Sequence, residues 1–217
     1  MLLSMVPARL IVPKQTAARR RNDPEGVRAR VLDAASALFQ AQGYHATGMR
    51  EVIEKTRLSP GAFHHHFPTK ESLALAVIAE RVAPAVRESW IDPIRHAAHL
   101  RHGVVDVFAD IIRGLDERNK VSGCPLNNLA MELSLSNARL RNELRAIFVE
   151  WQEALEARIA QSPRGKHWSK EQRRAAASFI VAAYSGAMNL AKAAQDSTPL
   201  KAMQRTVSQW LTDQQLD

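Results

Sequence analysis

Ser59-Pro60 and Pro68 bracket a helix that is too short to build a core. Serine suits the cap and proline the first turn, and the next proline ends the helix. Phe63 and Phe67 stand four apart, so they share one face. Those two rings anchor the segment to the helices before it. Gly61, Ala62, His64 and His65 are left facing outward. Small residues at its start let this helix end sit deep in a groove. There its free N–H groups and positive dipole end meet phosphates and base edges.

The flanking sequence supplies the partners. Val27, Val31, Ala34, Ala35, Leu38 and Phe39 form one apolar stripe on a helix beginning near Pro24. Gly43 follows where a left-handed C-terminal residue is wanted. Thr47 can cap a second helix that buries Met49, Val52 and Ile53. A turn at Thr56-Arg57-Leu58 then leads into the short helix, and two short helices so joined make a helix-turn-helix. Thr69 caps a fourth helix carrying Leu73, Ala76 and Val77.

Asp92-Pro93 reads as a further start signal. Helical patterns follow over 102–119, 125–135, 138–161, 170–195 and 199–213. No alternating strand pattern interrupts them, so the expected fold is all-α.

Composition narrows the partners. Thirty Lys and Arg against 22 Asp and Glu give a charge of +8. Such an excess favours a polyanion, either nucleic acid or an anionic membrane. The single cysteine, Cys124, precludes an intrachain disulfide framework and points to an intracellular, cytoplasmic setting. No apolar run nears the ~20 residues that span a bilayer. Residues 1–22 are expected to be a basic, flexible tail, with Arg9, Lys14, Arg19, Arg20 and Arg21 and no acid. Such a tail either lies along phosphates or is an inert extension.

The segment from Val27 to about residue 80 resembles the DNA-binding domain of the TetR family of bacterial repressors. The resemblance rests on Leu38-Phe39, Gly43-Tyr44, Thr47, Val52-Ile53, Leu58-Ser59-Pro60-Gly61, Phe63-His64-His65-His66-Phe67 and Lys70-Glu71-Ser72-Leu73, in that order. It implies a helix-turn-helix domain over 23–69 and an effector-binding and dimerisation domain over 70–217. It implies that Thr47 bonds a phosphate and that Arg50 reaches the groove floor or a phosphate. Ser59, Pro60, Gly61 and Ala62 would face bases, His64 and His66 would contact phosphate or base edge, and Lys70 would pin the backbone. Two departures stand out. His64 replaces the family's usual tyrosine, and Arg57 replaces a usual glycine, which implies left-handed strain or an altered turn.

The resemblance also implies a homodimer, a double-stranded operator, and a small-molecule effector. Candidate pocket residues are Phe108, Ile111, Cys124, Asn128, Met131, Phe148, Trp151, Tyr184 and Met188. Their character favours a small apolar or aromatic effector. Small residues between Ala175 and Ala194, with Leu200, Met203, Val207, Trp210 and Leu211 on the last helix, are expected to bury against a second subunit.

No catalytic motif, metal site or cofactor is expected. His64, His65 and His66 point ~100° apart and cannot converge on one ion. His96 and His99 would share a helix face without a nearby acidic ligand. Cys124, at a helix start, is either a reactive thiol or a small buried filler. Repressor and activator are both compatible with these motifs, and a nonspecific DNA binder using the basic tail is the rival from another class.

Overall fold

In the computed structural model, which describes residues 23–216, Asp23 caps the first helix by accepting the Gly26 amide at 2.9 Å. The basic tail falls outside the described residues. Helix α1 (Pro24–Gln42) buries Val31, Leu32, Ala35, Leu38 and Phe39. Gly43 ends it at φ 93 and ψ 161. The sign of φ is as expected, but ψ lies in the extended region open essentially to glycine alone, not in the left-handed helix region.

Helix α2 spans Met49–Thr56, and its cap is Gly48 instead of Thr47. The Thr47 side chain is turned inward, 1% exposed, and donates to the Gly43 carbonyl at 2.7 Å. The hydroxyl is already committed to the preceding turn, so it does not reach the α2 amides. Arg57 closes α2 in the left-handed region at φ 56 and ψ 30. A side chain there costs roughly 1–2 kcal/mol. Arg57→Gly is expected to raise stability by about 1 kcal/mol after the added freedom of the unfolded chain is offset. A urea titration checks this, and a drop in midpoint would contradict it.

Helix α3 (Pro60–His66) starts where Ser59 Oγ accepts the Ala62 amide at 3.3 Å. Phe63 and Phe67 are buried, 6.2 Å between centroids, as the spacing predicts. Thr69 and Ser72 then form a reciprocal capping box at the start of α4 (Lys70–Val77).

From Lys70 the chain stays helical to His96. Helix α4 passes through a π turn (Ile78–Val82) into α5 (Ala83–Val86), then a second π turn (Arg87–Ile91) into α6 (Asp92–His96). Asp92-Pro93 therefore starts no helix; the rod, roughly 40 Å long by helical rise, runs through it. Both prolines explain the π turns. Each lies just past one, where wider turns relieve the clash between a proline ring and the carbonyl four residues back. At Pro84 the freed Glu80 carbonyl is taken by Arg81 Nη1 at 2.8 Å. Arg81 also grips α1, through Asp33 at 2.6 Å and the Ala29 carbonyl at 3.2 Å.

The remaining helices are α7 (Leu100–Arg118), α8 (Pro125–Leu133), α9 (Ala138–Ile159), α10 (Lys170–Ala194) and α11 (Thr198–Asp213), with a short 3-10 turn at Gly165–His167. Each end lies within two residues of its expected position. Asn137 caps α9, and Ser169 with Gln172 forms a capping box on α10. His96 ends α6 whereas His99 caps α7, with Ala97 extended between them. They do not share a helix face, because the chain turns there.

Helix α10 packs on α9 and α11, and α11 packs on α7. Leu200, Val207 and Leu211 are buried in these intrachain contacts, as are Ala187 and Ala191. Most of the stripe expected to await a second subunit is thus already covered. The rest of that stripe stays open: Ala182 and Gly186 are exposed, Met203 and Trp210 are half-buried, and Phe179 (39%) and Leu190 (63%) add exposed apolar side chains on α10.

Candidate DNA-reading surface and sensor core

The two buried phenylalanines fix which way α3 faces. With them inward, Ser59, Pro60, Gly61, Ala62, His64 and His65 are exposed, and His66 is half-buried. Gly61 is informative. A Cβ there would meet nothing within 4 Å, and its φ is ordinary. Glycine costs about 1 kcal/mol against alanine inside a helix. Among the described residues, neither packing nor a positive φ requires glycine there.

Of the cations near that helix in sequence, Arg50 and Lys70 are the two expected to meet DNA. Arg50 is 92% exposed at its side chain and bonds Glu54, one turn on, at 2.9 Å. Lys70 is held closer. Its ammonium lies 4.3 Å from the Tyr44 ring centroid and donates to the His45 carbonyl at 3.3 Å. Burial lowers its pKa from 10.5, with the nearby Glu132 carboxylate acting in the opposite sense. Thr47 offers no exposed hydroxyl. The reading from sequence missed Tyr44 as the seat of Lys70, and the adjacent Gly43-Tyr44 was the available signal.

In the C-terminal helices, Phe108, Trp151, Tyr184, Met188 and Cys124 are all buried. Trp90, in the second π turn and not among the candidates, packs against three of them. Its ring lies 4.8 Å from Trp151, 4.8 Å from Tyr184 and 5.5 Å from Phe108. The indole N–H groups of Trp90 and Trp151, and the Asn127 amide nitrogen, are buried without a hydrogen-bond partner. Burial, then the neighbouring Cys124, raises the Tyr184 phenol well above 10.0. The Trp90 N–H opposes this weakly, without reaching hydrogen-bond geometry. Burial also raises the Cys124 thiol above 9.0, against the weaker pull of the amides at the start of α8. A thiol so buried matches the filler reading over the reactive one.

The other four candidates lie outside this buried set. Met131 is 77% exposed, because α8 turns Leu126, Leu129 and Leu133 inward and Met131 falls on the other side. Asn128 is occupied by polar partners, donating to Gln40 Oε1 and the Ser122 carbonyl, each at 3.0 Å. Phe148, half-buried, lines an outer groove of about 260 Å³ with Arg141, Arg145 and Arg174. Ile111 is half-buried at the core's edge. Among the described residues, no helix is long and apolar enough to cross a membrane.

Comparison with known proteins agrees with this architecture. Residues 31–77 match the model for bacterial regulatory proteins of the tetR family. Residues 101–206 match the C-terminal domain of LmrA/YxaF-like transcriptional regulators. The HTH-type transcriptional regulator LmrA of Bacillus subtilis (strain 168) is 28% identical over 174 residues, 80% of this chain and 90% of that protein. The HTH-type transcriptional repressor DhaR of Mycobacterium sp. (strain GP1) is 24% identical over 185 residues, 80% of this chain and 86% of its own. A TetR transcriptional regulator from Chloroflexus aurantiacus J-10-FL superposes with a TM-score of 0.73 at 30% identity, covering 87% of this chain and 96% of that one.

A helix-turn-helix carried on a helical second domain defines a DNA-binding transcriptional regulator, not an enzyme. This chain belongs to the TetR family, and its C-terminal half is of the LmrA/YxaF-like kind.

Proposed function

We propose that the protein is a cytoplasmic, homodimeric repressor that holds a near-palindromic operator and is released by a small, mainly apolar or aromatic effector. Residues 23–69 form the DNA-binding domain and 70–217 the effector-binding and dimerisation domain. The carrying observation is Gly61, exposed on α3 with no contact in the chain that requires it. A bare helix start lets the backbone approach base edges. Ser59, Pro60, Gly61 and Ala62 face bases, with Ala62 against a thymine methyl. Arg50, His64, His66 and Lys70 contact phosphate or base edge. Thr47 leaves this set because its side chain is buried.

The dimer is supported by the uncovered face of α10 and α11. Gly186 sits inside a 25-residue helix, and a Cβ there would also meet nothing within 4 Å. Phe179, seven residues earlier on the same helix, and Trp210 of α11 have ring centroids 4.6 Å apart at a 51° tilt, and both are partly exposed. A second copy would cover these rings and use the glycine for close approach. The effector reading is supported by the aromatic core and its orphaned donors, which an aromatic molecule with a hydrogen-bond acceptor would satisfy. The relative DhaR, a transcriptional repressor by name, supports repression over activation. The effector must favour the released state, since equal affinity for both would shift nothing.

Selection of bound duplexes from a random pool tests this. The expected product is a near-palindrome whose half-sites lie ~34–36 Å apart or at a multiple. Binding without sequence preference would contradict the reading and favour a nonspecific binder. On the selected duplex, Arg50→Ala and Lys70→Ala are each expected to lower the slope of log affinity against log salt by about 0.9. Unchanged slopes in a gel-shift titration would reject those phosphate contacts.

A further inference from the structure

The outer groove at Phe148 carries charge of one sign. Arg141 and Arg145 of α9 and Arg174 of α10 line it, and no Asp or Glu does. On α9, Arg141, Arg145, Phe148 and Gln152 recur every three or four residues and so form one stripe. Ile147, Trp151 and Leu155 fall on the inner side of the same helix and are buried. Helix α9 therefore stands between this groove and the Trp90 cluster.

The cations here are not relieved by their neighbours. Like charges one turn apart on a helix repel, as Arg141 and Arg145 do. The places one turn from Arg145 hold Arg141, Asn142, Phe148 and Val149, so its own helix offers it no carboxylate. On another side of α9, by contrast, Arg139 lies 3.8 Å from Glu71. Arg141 Nη1 donates to the Ser134 carbonyl, at the end of α8, at 2.9 Å, which fixes its head. Arg145 and Arg174 are exposed and have no hydrogen-bond or ion-pair partner among the described residues.

Past Val149, Gln152 and Arg174 the groove continues as a second section of about 330 Å³. Lys170 and Arg173 line that section, but so do Glu153 and Glu156. The acids are confined to the far section, and the α8 end is purely cationic around a half-buried phenylalanine.

We propose that the α8 end of this groove binds an aromatic carboxylate, with its ring on Phe148 and its carboxylate between Arg145 and Arg174. Guanidinium groups suit a carboxylate because their planar forks donate two parallel hydrogen bonds. A volume of about 260 Å³ is just below the ~300 Å³ at which small-molecule sites begin, which suits one or two rings. A long acidic segment fits less well, since it would have to run past Glu153 and Glu156. The site is separate from the aromatic core assigned to the effector, and it does not depend on operator binding.

The test uses the full chain, with 2-naphthoate as the probe. Calorimetric titration is expected to show saturable binding that weakens about tenfold in Arg174→Gln, whose side chain is exposed and whose loss spares the fold. Phe148→Ala is expected to weaken it at least about fivefold. The neutral 2-naphthylmethanol, which keeps the rings and lacks the charge, is expected to bind at least about tenfold more weakly than 2-naphthoate. Phenylglyoxal labelling of arginines, read by mass spectrometry, places the site. With 2-naphthoate well above its dissociation constant, labelling of Arg145 and Arg174 is expected to slow at least about fivefold, and that of the exposed Arg30 on α1 to stay unchanged. Equal binding of the alcohol, undiminished binding by Arg174→Gln, or protection no greater than at Arg30 overturns the proposal. Binding in the aromatic core instead would leave Arg145 and Arg174 labelling at full rate, and so overturns it too. So does a groove that takes poly-glutamate but not 2-naphthoate. None of these results bears on the operator reading, which the random pool decides.

Discussion

Phe63→Ala is expected to cost about 3–5 kcal/mol and to abolish operator binding together with it. The ring is fully buried and lies beneath a helix of only seven residues. So short a helix has no stability of its own in water and holds its shape by tertiary packing. Removing one of its two anchors, with Phe67 the other, leaves a cavity and frees the α3 surface. A urea titration at fixed protein concentration measures the first effect, and a gel shift on the selected duplex measures the second. A loss under about 1 kcal/mol would mean that α3 is held by something other than this ring.

Trp90→Ala is expected to cost a similar 3–5 kcal/mol, because the indole joins Phe108, Trp151 and Tyr184 in one cluster. Trp90→Phe is expected to cost far less, below about 1.5 kcal/mol. The phenylalanine keeps most of the ring contact and removes a buried N–H that has no acceptor. An unpaired buried donor costs roughly 1–3 kcal/mol, so its removal offsets part of the lost volume. Denaturant midpoints for the pair check this. If Trp90→Phe proves as damaging as Trp90→Ala, the N–H is bonded and the core is not short of acceptors.

The N-terminal domain was legible because its signals are local. Ser59-Pro60, the Phe63 and Phe67 spacing, and the Thr69 cap each act within a turn or two, and the structure follows them. Arg57 is a different case: only the resemblance, with glycine usual at this place, implied left-handed strain or an altered turn, and the left-handed backbone is what is found. These failures arise where one local interaction outcompetes another. Thr47 looks like a cap, but its hydroxyl finds Gly43 first. Asp92-Pro93 looks like a start, but the preceding π turn accommodates the proline and the helix continues.

The C-terminal half was legible as helices and less so as a site. Its apolar residues mark which faces point inward, yet periodicity does not say which inward residue meets which. Trp90 was hidden for that reason. Met131 falls on the open side of α8, and the Asn128 amide is taken by Gln40 and Ser122. The contacts Gln40–Asn128 and His45–Glu132 span 88 and 87 residues of sequence, beyond the reach of any local pattern.

The most direct test of the account is Gly61→Leu, compared with the wild type for both melting temperature and preference for the selected duplex over a scrambled one. Open space around Gly61 predicts an unchanged or higher melting temperature, since leucine favours helix over glycine by most of ~1 kcal/mol. The same side chain, projecting where DNA must come close, predicts loss of the preference. A folded variant that still prefers the selected duplex as strongly as the wild type would contradict the claim that α3 faces the bases.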